Sequence, residues 1–180
     1  MKVKGLLLIV AFCVSAQAAD KMTLMKFKVT NACPRCDLKD AEFEGASLKF
    51  ANLEGANLNK ANLKGANLTT ANLKGANLSQ ANLMSADLKF ANLNYALLYD
   101  ANLIGANLKN AKLTNANLEG ANLKGANLSS AGFGLAELQG ANLEGANLKD
   151  ANLNRANLYK ADLTNANLEG AILYKANFEG

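Results

Sequence analysis

The 180-residue chain has no histidine and no tryptophan, one proline and three cysteines, and only 6% of it is aromatic. Without histidine it lacks the side chain that most often serves as general base, proton shuttle and metal ligand near neutral pH. A zinc site takes about four thiolate, imidazole or carboxylate ligands, and three cysteines with no histidine do not make the usual set. No nucleophile motif is present and no glycine-rich loop is placed to cradle phosphate. Acidic side chains occur singly, with no cleft to shift their pKa values. The sequence reads as non-enzymatic, with no catalytic, cofactor or metal site.

Excess charge is lacking as well. Nineteen Lys and Arg face 15 Asp and Glu, a formal net charge of +4. A dedicated nucleic-acid binder carries a basic stripe, so no nucleic-acid partner is expected. Long hydrophobic runs are confined to Leu6–Val14, which follows Lys2 and Lys4 and precedes Ala16-Gln17-Ala18. That order is a secretory signal peptide over residues 1–18, cut before Ala19. The run is too short to span a bilayer comfortably, and no other segment offers a membrane span. Phe12 is too bulky for the residue before a lipid-modified Cys13. The expected address is periplasmic or secreted, in a bacterial cell. Removing Lys2 and Lys4 leaves 17 basic against 15 acidic residues, a net of +2.

Cys33 and Cys36 then remain, as Cys-Pro-Arg-Cys. A haem attachment wants histidine after the second cysteine, where Asp37 stands. A thioredoxin-like pair wants a βαβ setting, which is absent. A structural disulfide and two buried thiols both stay open, and an oxidising compartment favours the disulfide.

What the chain has in abundance is one pattern. From Ala41 to Ala176 every fifth residue is alanine. Two residues after each stands a leucine or phenylalanine, and the series from Leu38 to Phe178 has 29 such positions, 26 Leu and three Phe. Asn or Asp precedes 22 of them, and 11 of the 14 glycines close a unit. A helix turns about 100° per residue, so a step of five scatters the leucines around the rod. A strand alternates with period two, so an odd step throws them onto opposite faces. A chain that bends by the same angle in every unit points them all at one axis. The glycines sit where a tight turn asks for positive φ, and Asn and Asp suit turns through local hydrogen bonds. A fixed period of this kind signals a solenoid.

Units such as Ala51-Asn52-Leu53-Glu54-Gly55 and Ala61-Asn62-Leu63-Lys64-Gly65 resemble the A(D/N)LXX repeat of the pentapeptide-repeat family. The resemblance covers residues 36–180 and implies an all-β fold, a right-handed quadrilateral β-helix with four units per coil and about seven coils. It implies that the central Leu or Phe and the Ala point inward. A Cys-x-x-Cys opening like that of similar proteins implies a capping role for Cys33 and Cys36. Residues 19–35 are expected to be an N-terminal capping segment, with a short strand around Met25, Phe27 and Val29. At the far end Phe178 is expected to plug the core. An open coil edge invites an end-to-end homodimer. The family uses C-terminal elements for such dimers that are absent from this sequence. Gly132 and Gly134, on either side of Phe133, suggest a bulge that makes room for the ring.

Residues twenty apart should stack. One column reads Lys49, Thr69, Lys89, Lys109, Ser129, Lys149 and Glu169. Such a ladder could meet an anionic surface such as lipid headgroups or lipopolysaccharide, but with mixed charge on other columns it reads as a solvated face. Eleven large apolar or aromatic residues occupy outward positions. Of these, Met84, Tyr95, Leu97, Tyr99 and Ile104 form the candidate docking patch for an unknown protein partner, with Met84 and Ile104 stacked on the neighbouring side. The others are Phe50, Phe90, Leu135, Tyr159, Ile172 and Tyr174. The expected function is a scaffold whose rigid solenoid surface serves protein–protein interaction. The alternative implied by the resemblance is a DNA mimic that binds a type II topoisomerase. That role wants a strongly negative rod and a cytoplasmic address. Ice binding wants threonine ladders, and the threonines are too few.

Overall fold

The computed structural model describes residues 30–179, so the expected signal peptide and the expected strand at 25–29 lie outside the described residues. The fold is the right-handed quadrilateral β-helix. Twenty-six bridges, all parallel, join residue i to residue i+20, from Ala32↔Asn52 to Asn157↔Asn177. Each coil therefore holds four five-residue units. At roughly 4.8 Å between coils the solenoid is about 35 Å long.

One unit explains all of them. Leu58 donates its N–H to the Asn77 carbonyl in the next coil (2.7 Å), while Asn57 donates to the Cys36 carbonyl in the previous one (2.8 Å). Asn59 and Lys60 then turn the corner, closed by the Ala61 N–H on the Leu58 carbonyl (3.0 Å). The third residue of this four-residue turn has positive φ in all 29 corners from Arg35 to Lys175. A β-turn with positive φ at that position is type II, which explains the preference for glycine there. The preceding Asn or Asp closes the account. Its Oδ1 accepts the N–H two residues on, as Asn57 does from Asn59 (3.2 Å) and Asn117 from Glu119 (2.9 Å). Among the described residues that N–H has no backbone acceptor, so the side chain satisfies it.

Between Leu38 and Leu158 every inward Leu, Phe and Ala is buried. Each buried leucine contributes about 1.5–3 kcal/mol of gross hydrophobic stabilisation. We number the faces I to IV by their outward central residues. Face I carries Asn52, Asn72, Asn92 and Lys112. Face II carries Asn57, Asn77, Leu97 and Asn117, face III Asn62, Asn82 and Asn102, and face IV Asn67, Asp87 and Asn107.

Three details differ from the sequence reading. The ladder starts at Ala32 and Cys33, one corner before the boundary at residue 36. Cys33 holds the leucine register and Pro34-Arg35 the turn, in a unit that has Asn31 at the alanine register, Ala32 at the asparagine register and no leucine, so the repeat is not recognisable there. Second, no bulge accompanies Phe133. Gly132 bridges both Lys112 and Asn152 in unbroken register, and Phe133 is fully buried. Both glycines stand at outward positions, where omitting a side chain makes no room inside. Third, Phe178 does not plug the last coil. It remains 41% exposed, and Leu163, Leu168 and Leu173 on that coil are only partly covered.

Candidate docking surface

The first corner is covalently closed. Cys33 and Cys36 are joined as a disulfide with Cα atoms 5.4 Å apart, and the Cys36 N–H also reaches the Cys33 carbonyl (3.3 Å). Their sulfurs stand at the Leu and Ala registers of the repeat. Cys33 is buried, and Cys36 packs against the core. Pro34 occupies the second turn position, whose φ its ring presets.

Of the five patch residues, three come together. Tyr95 ends the corner between faces I and II, Leu97 is the outward centre of face II, and Tyr99 opens the corner between faces II and III. They run as one row across face II, 57%, 46% and 43% exposed. Met84 and Ile104 do stack, twenty residues apart, but on the corner between faces III and IV. The asparagines of face III separate them from Tyr99. Both are half-buried, between the Lys64–Glu44 (3.2 Å) and Lys124–Glu144 (2.7 Å) ion pairs of the same column. Within the candidate patch the row is the exposed part, and the Met84–Ile104 stack is a separate, more covered one.

The row departs from the local rules of the fold. Leu97 stands where 22 units have Asn or Asp, so it can neither cap the turn nor extend an amide ladder. Tyr95 sits at φ 61°, a left-handed conformation that costs a bulky side chain. Neither choice serves the core, and departures of this kind concentrate at functional sites. Acidic groups border the row. The charge of Asp100, then a hydrogen bond from the phenol to it, hold the Tyr99 pKa above its ordinary value, with Glu119 adding to the effect.

The sequence signal for these strained corners is the identity of the fifth residue in each unit. Apolar residues there, as in Phe50, Phe90, Tyr95 and Leu135, mark corners where positive φ is adopted against side-chain preference. Among the described residues no cluster of His, Cys, Asp and Glu could hold a metal ion, and no helix is long and apolar enough to cross a membrane.

A family model of pentapeptide repeats matches in eight copies that together span residues 36–180. HetL, a pentapeptide repeat protein involved in heterocyst differentiation regulation from the cyanobacterium Nostoc sp. strain PCC 7120, is similar at 40% identity. The match covers 81% of this chain and 73% of HetL, with a TM-score of 0.59. A pentapeptide repeat protein from the Arabidopsis thaliana thylakoid lumen is 32% identical over 56% of this chain and 68% of its own, with a TM-score of 0.52. No curated protein matches. With its repeat, its four-sided coil and the family model all in agreement, the chain belongs to the pentapeptide repeat family.

Proposed function

We propose that the protein is a non-enzymatic scaffold, periplasmic or secreted, whose rigid solenoid docks another protein on face II. The observation that carries this reading is the Tyr95–Leu97–Tyr99 row, an exposed apolar strip kept at the expense of a turn cap and a relaxed corner. Asp100 and Glu119 beside Tyr99 fit a partner segment that presents apolar side chains flanked by cations. A regular ladder with a buried aliphatic core gives such a strip a fixed geometry, which lowers the ordering cost of binding. The signal-peptide pattern of residues 1–18 supports export, and the thylakoid-lumen address of one relative is in keeping with work beyond a membrane. A DNA mimic needs an acidic rod, whereas residues 30–179 carry 14 basic and 14 acidic side chains.

The test is a pull-down from the envelope fraction with the intact protein and with the Leu97→Asn, Tyr99→Ser double variant. The scaffold reading requires a protein captured by the former and lost with the latter. Identical capture by both would return face II to ordinary surface.

A further inference from the structure

The coil geometry sets the lysine column of the corner between faces IV and I beside charges that are far from it in sequence. That corner carries Lys49, Lys89, Lys109 and Lys149 against Asp150 and Glu169. On the other side of face I, the corner with face II carries Arg35, Lys74, Arg155 and Lys175 against Glu54. Lys112 lies on face I between them. Face I with its two corners thus has nine basic and three acidic side chains. The rest of the described solenoid has five lysines and eleven carboxylates. Residues 30–179 sum to zero, yet one side is +6 and the remainder −6. Lys74, Lys109, Lys112 and Arg155 belong to none of the four ion pairs among the described residues.

Among the described residues the same two corners hold every apolar side chain that adopts positive φ. Phe50 and Phe90 stand on one, Tyr95 and Leu135 on the other, with φ between 58° and 61°. On the corners between faces II and III and between faces III and IV the equivalent residue is always glycine or polar, as in Asp40, Gln80, Gly105 and Gly125. Left-handed backbone disfavours a bulky residue, and nothing in the core gains from one there. Phe50 and Phe90 are 65% and 56% exposed, at the tips of their turns. Lys49 Nζ lies 4.9 Å from the Phe50 ring centroid, so the cation travels with the ring.

We propose that face I is a docking surface for an anionic lipid bilayer. The solenoid lies flat, with Phe50, Phe90, Tyr95 and Leu135 reaching the boundary of the acyl layer from both edges. The Lys and Arg side chains of the two corners and Lys112 meet the headgroup phosphates. An apolar edge combined with cations of flexible stem is the pattern of surface-bound proteins. The geometry favours a bilayer over a nucleic-acid strand. Phe50 and Phe90 are convex tips two coils, or about 10 Å, apart, whereas a bound strand stacks successive bases on rings lining a groove. The inference goes beyond the scaffold reading and uses the opposite side of the charge distribution; Tyr95 alone is common to both surfaces.

The test is co-sedimentation of the processed, purified protein with phosphatidylcholine vesicles that contain either about 30% phosphatidylglycerol or none. Binding to the anionic vesicles alone is expected, reversed by salt near 0.5 M, roughly three times the ionic strength at which screening already falls within about 8 Å. Phe50→Gly with Phe90→Gly, and separately Lys109→Glu with Lys112→Glu, should each weaken it by about tenfold or more. Glycine suits the left-handed corner, so the phenylalanine pair is lost without a folding defect, which an unchanged or raised thermal midpoint verifies. Leu97→Asn with Tyr99→Ser should leave vesicle binding intact, which separates this surface from the protein-docking row. Equal binding to both vesicle types, or unaltered binding by the two face I variants, overturns the proposal. So does a single-stranded oligonucleotide that binds more tightly than vesicles and is lost in the same variants.

Discussion

Leu97 and Asn117 form a parallel bridge at the same outward register of adjacent coils, but only Asn117 caps its own turn, accepting the Glu119 N–H at 2.9 Å. The corresponding Tyr99 N–H has no acceptor among the described residues. Leu97→Asn should therefore add one hydrogen bond, a gain of about 0.5–1.5 kcal/mol, while removing the centre of the exposed row. Equilibrium denaturation checks the first effect and partner capture the second. A variant that is more stable and still binds would show that Leu97 is dispensable for docking.

Exchange of residues at the left-handed corners should run in opposite directions on different sides of the rod. Phe90→Gly relieves a bulky residue at φ 58° and should stabilise by about 1 kcal/mol. Gly125→Ala should lose about as much through its φ of 64° alone, since an added Cβ there meets nothing within 4 Å. Gly120→Ala should cost more, because its Cβ would lie 2.5 Å from Asp100 Oδ1. Thermal midpoints of the three variants give the order directly. Equal losses for the two alanine variants would mean that the Asp100 side chain swings away freely.

The first corner depends on its disulfide. In the chain-entropy account a bridge closing so short a loop contributes about 2 kcal/mol. In a solenoid that loss should stay near its own coil, because each coil contacts only its neighbours. Reduction, or Cys33→Ser with Cys36→Ser, should raise amide exchange at Leu38 and Leu58 and leave Leu98 and Leu118 protected. Uniform deprotection along the rod would show that the first coil nucleates the whole structure.

The fold was legible because one constraint, convergence of Leu and Ala on an axis, governs nearly every unit and repeats without interruption. Cys33 escaped that reading since its unit has Asn31 and Ala32 in exchanged positions and no leucine, although its register is five residues before Leu38. Gly132 and Gly134 suggested a bulge because strand glycines often mark one, but both point outward. The candidate site was half legible. Tyr95, Leu97 and Tyr99 are consecutive outward positions, so their row follows from the chain itself. Placing Met84 and Ile104 apart from them requires the order of the corners. The polarity of face I is harder still, since it joins Lys49, Lys112 and Arg155 from three columns, each of mixed composition.

Stability should be insensitive to pH through the neutral range, since there is no histidine to titrate. At the acid end, a hydrogen bond from Lys64 followed by its charge holds the Glu44 pKa below the ordinary carboxylate range. Bonds from the Thr164 side chain and backbone do the same for Asp162. A depressed folded-state pKa gives stability that is present above the unfolded value and lost as pH falls through the folded one. The midpoint should thus decline only below about pH 4, where carboxylates of the unfolded chain begin to take up protons that these two still resist in the fold. At the alkaline end the sign reverses. A hydrogen bond and the charge of Glu169 raise the Lys149 pKa, so its contribution is present below the unfolded value and lost as pH climbs past the folded one. These groups are exposed, so both declines should be shallow and should shrink in salt. Melting curves from pH 3 to 11 at two salt concentrations check the shape, and a steep transition between pH 5 and 8 would contradict it.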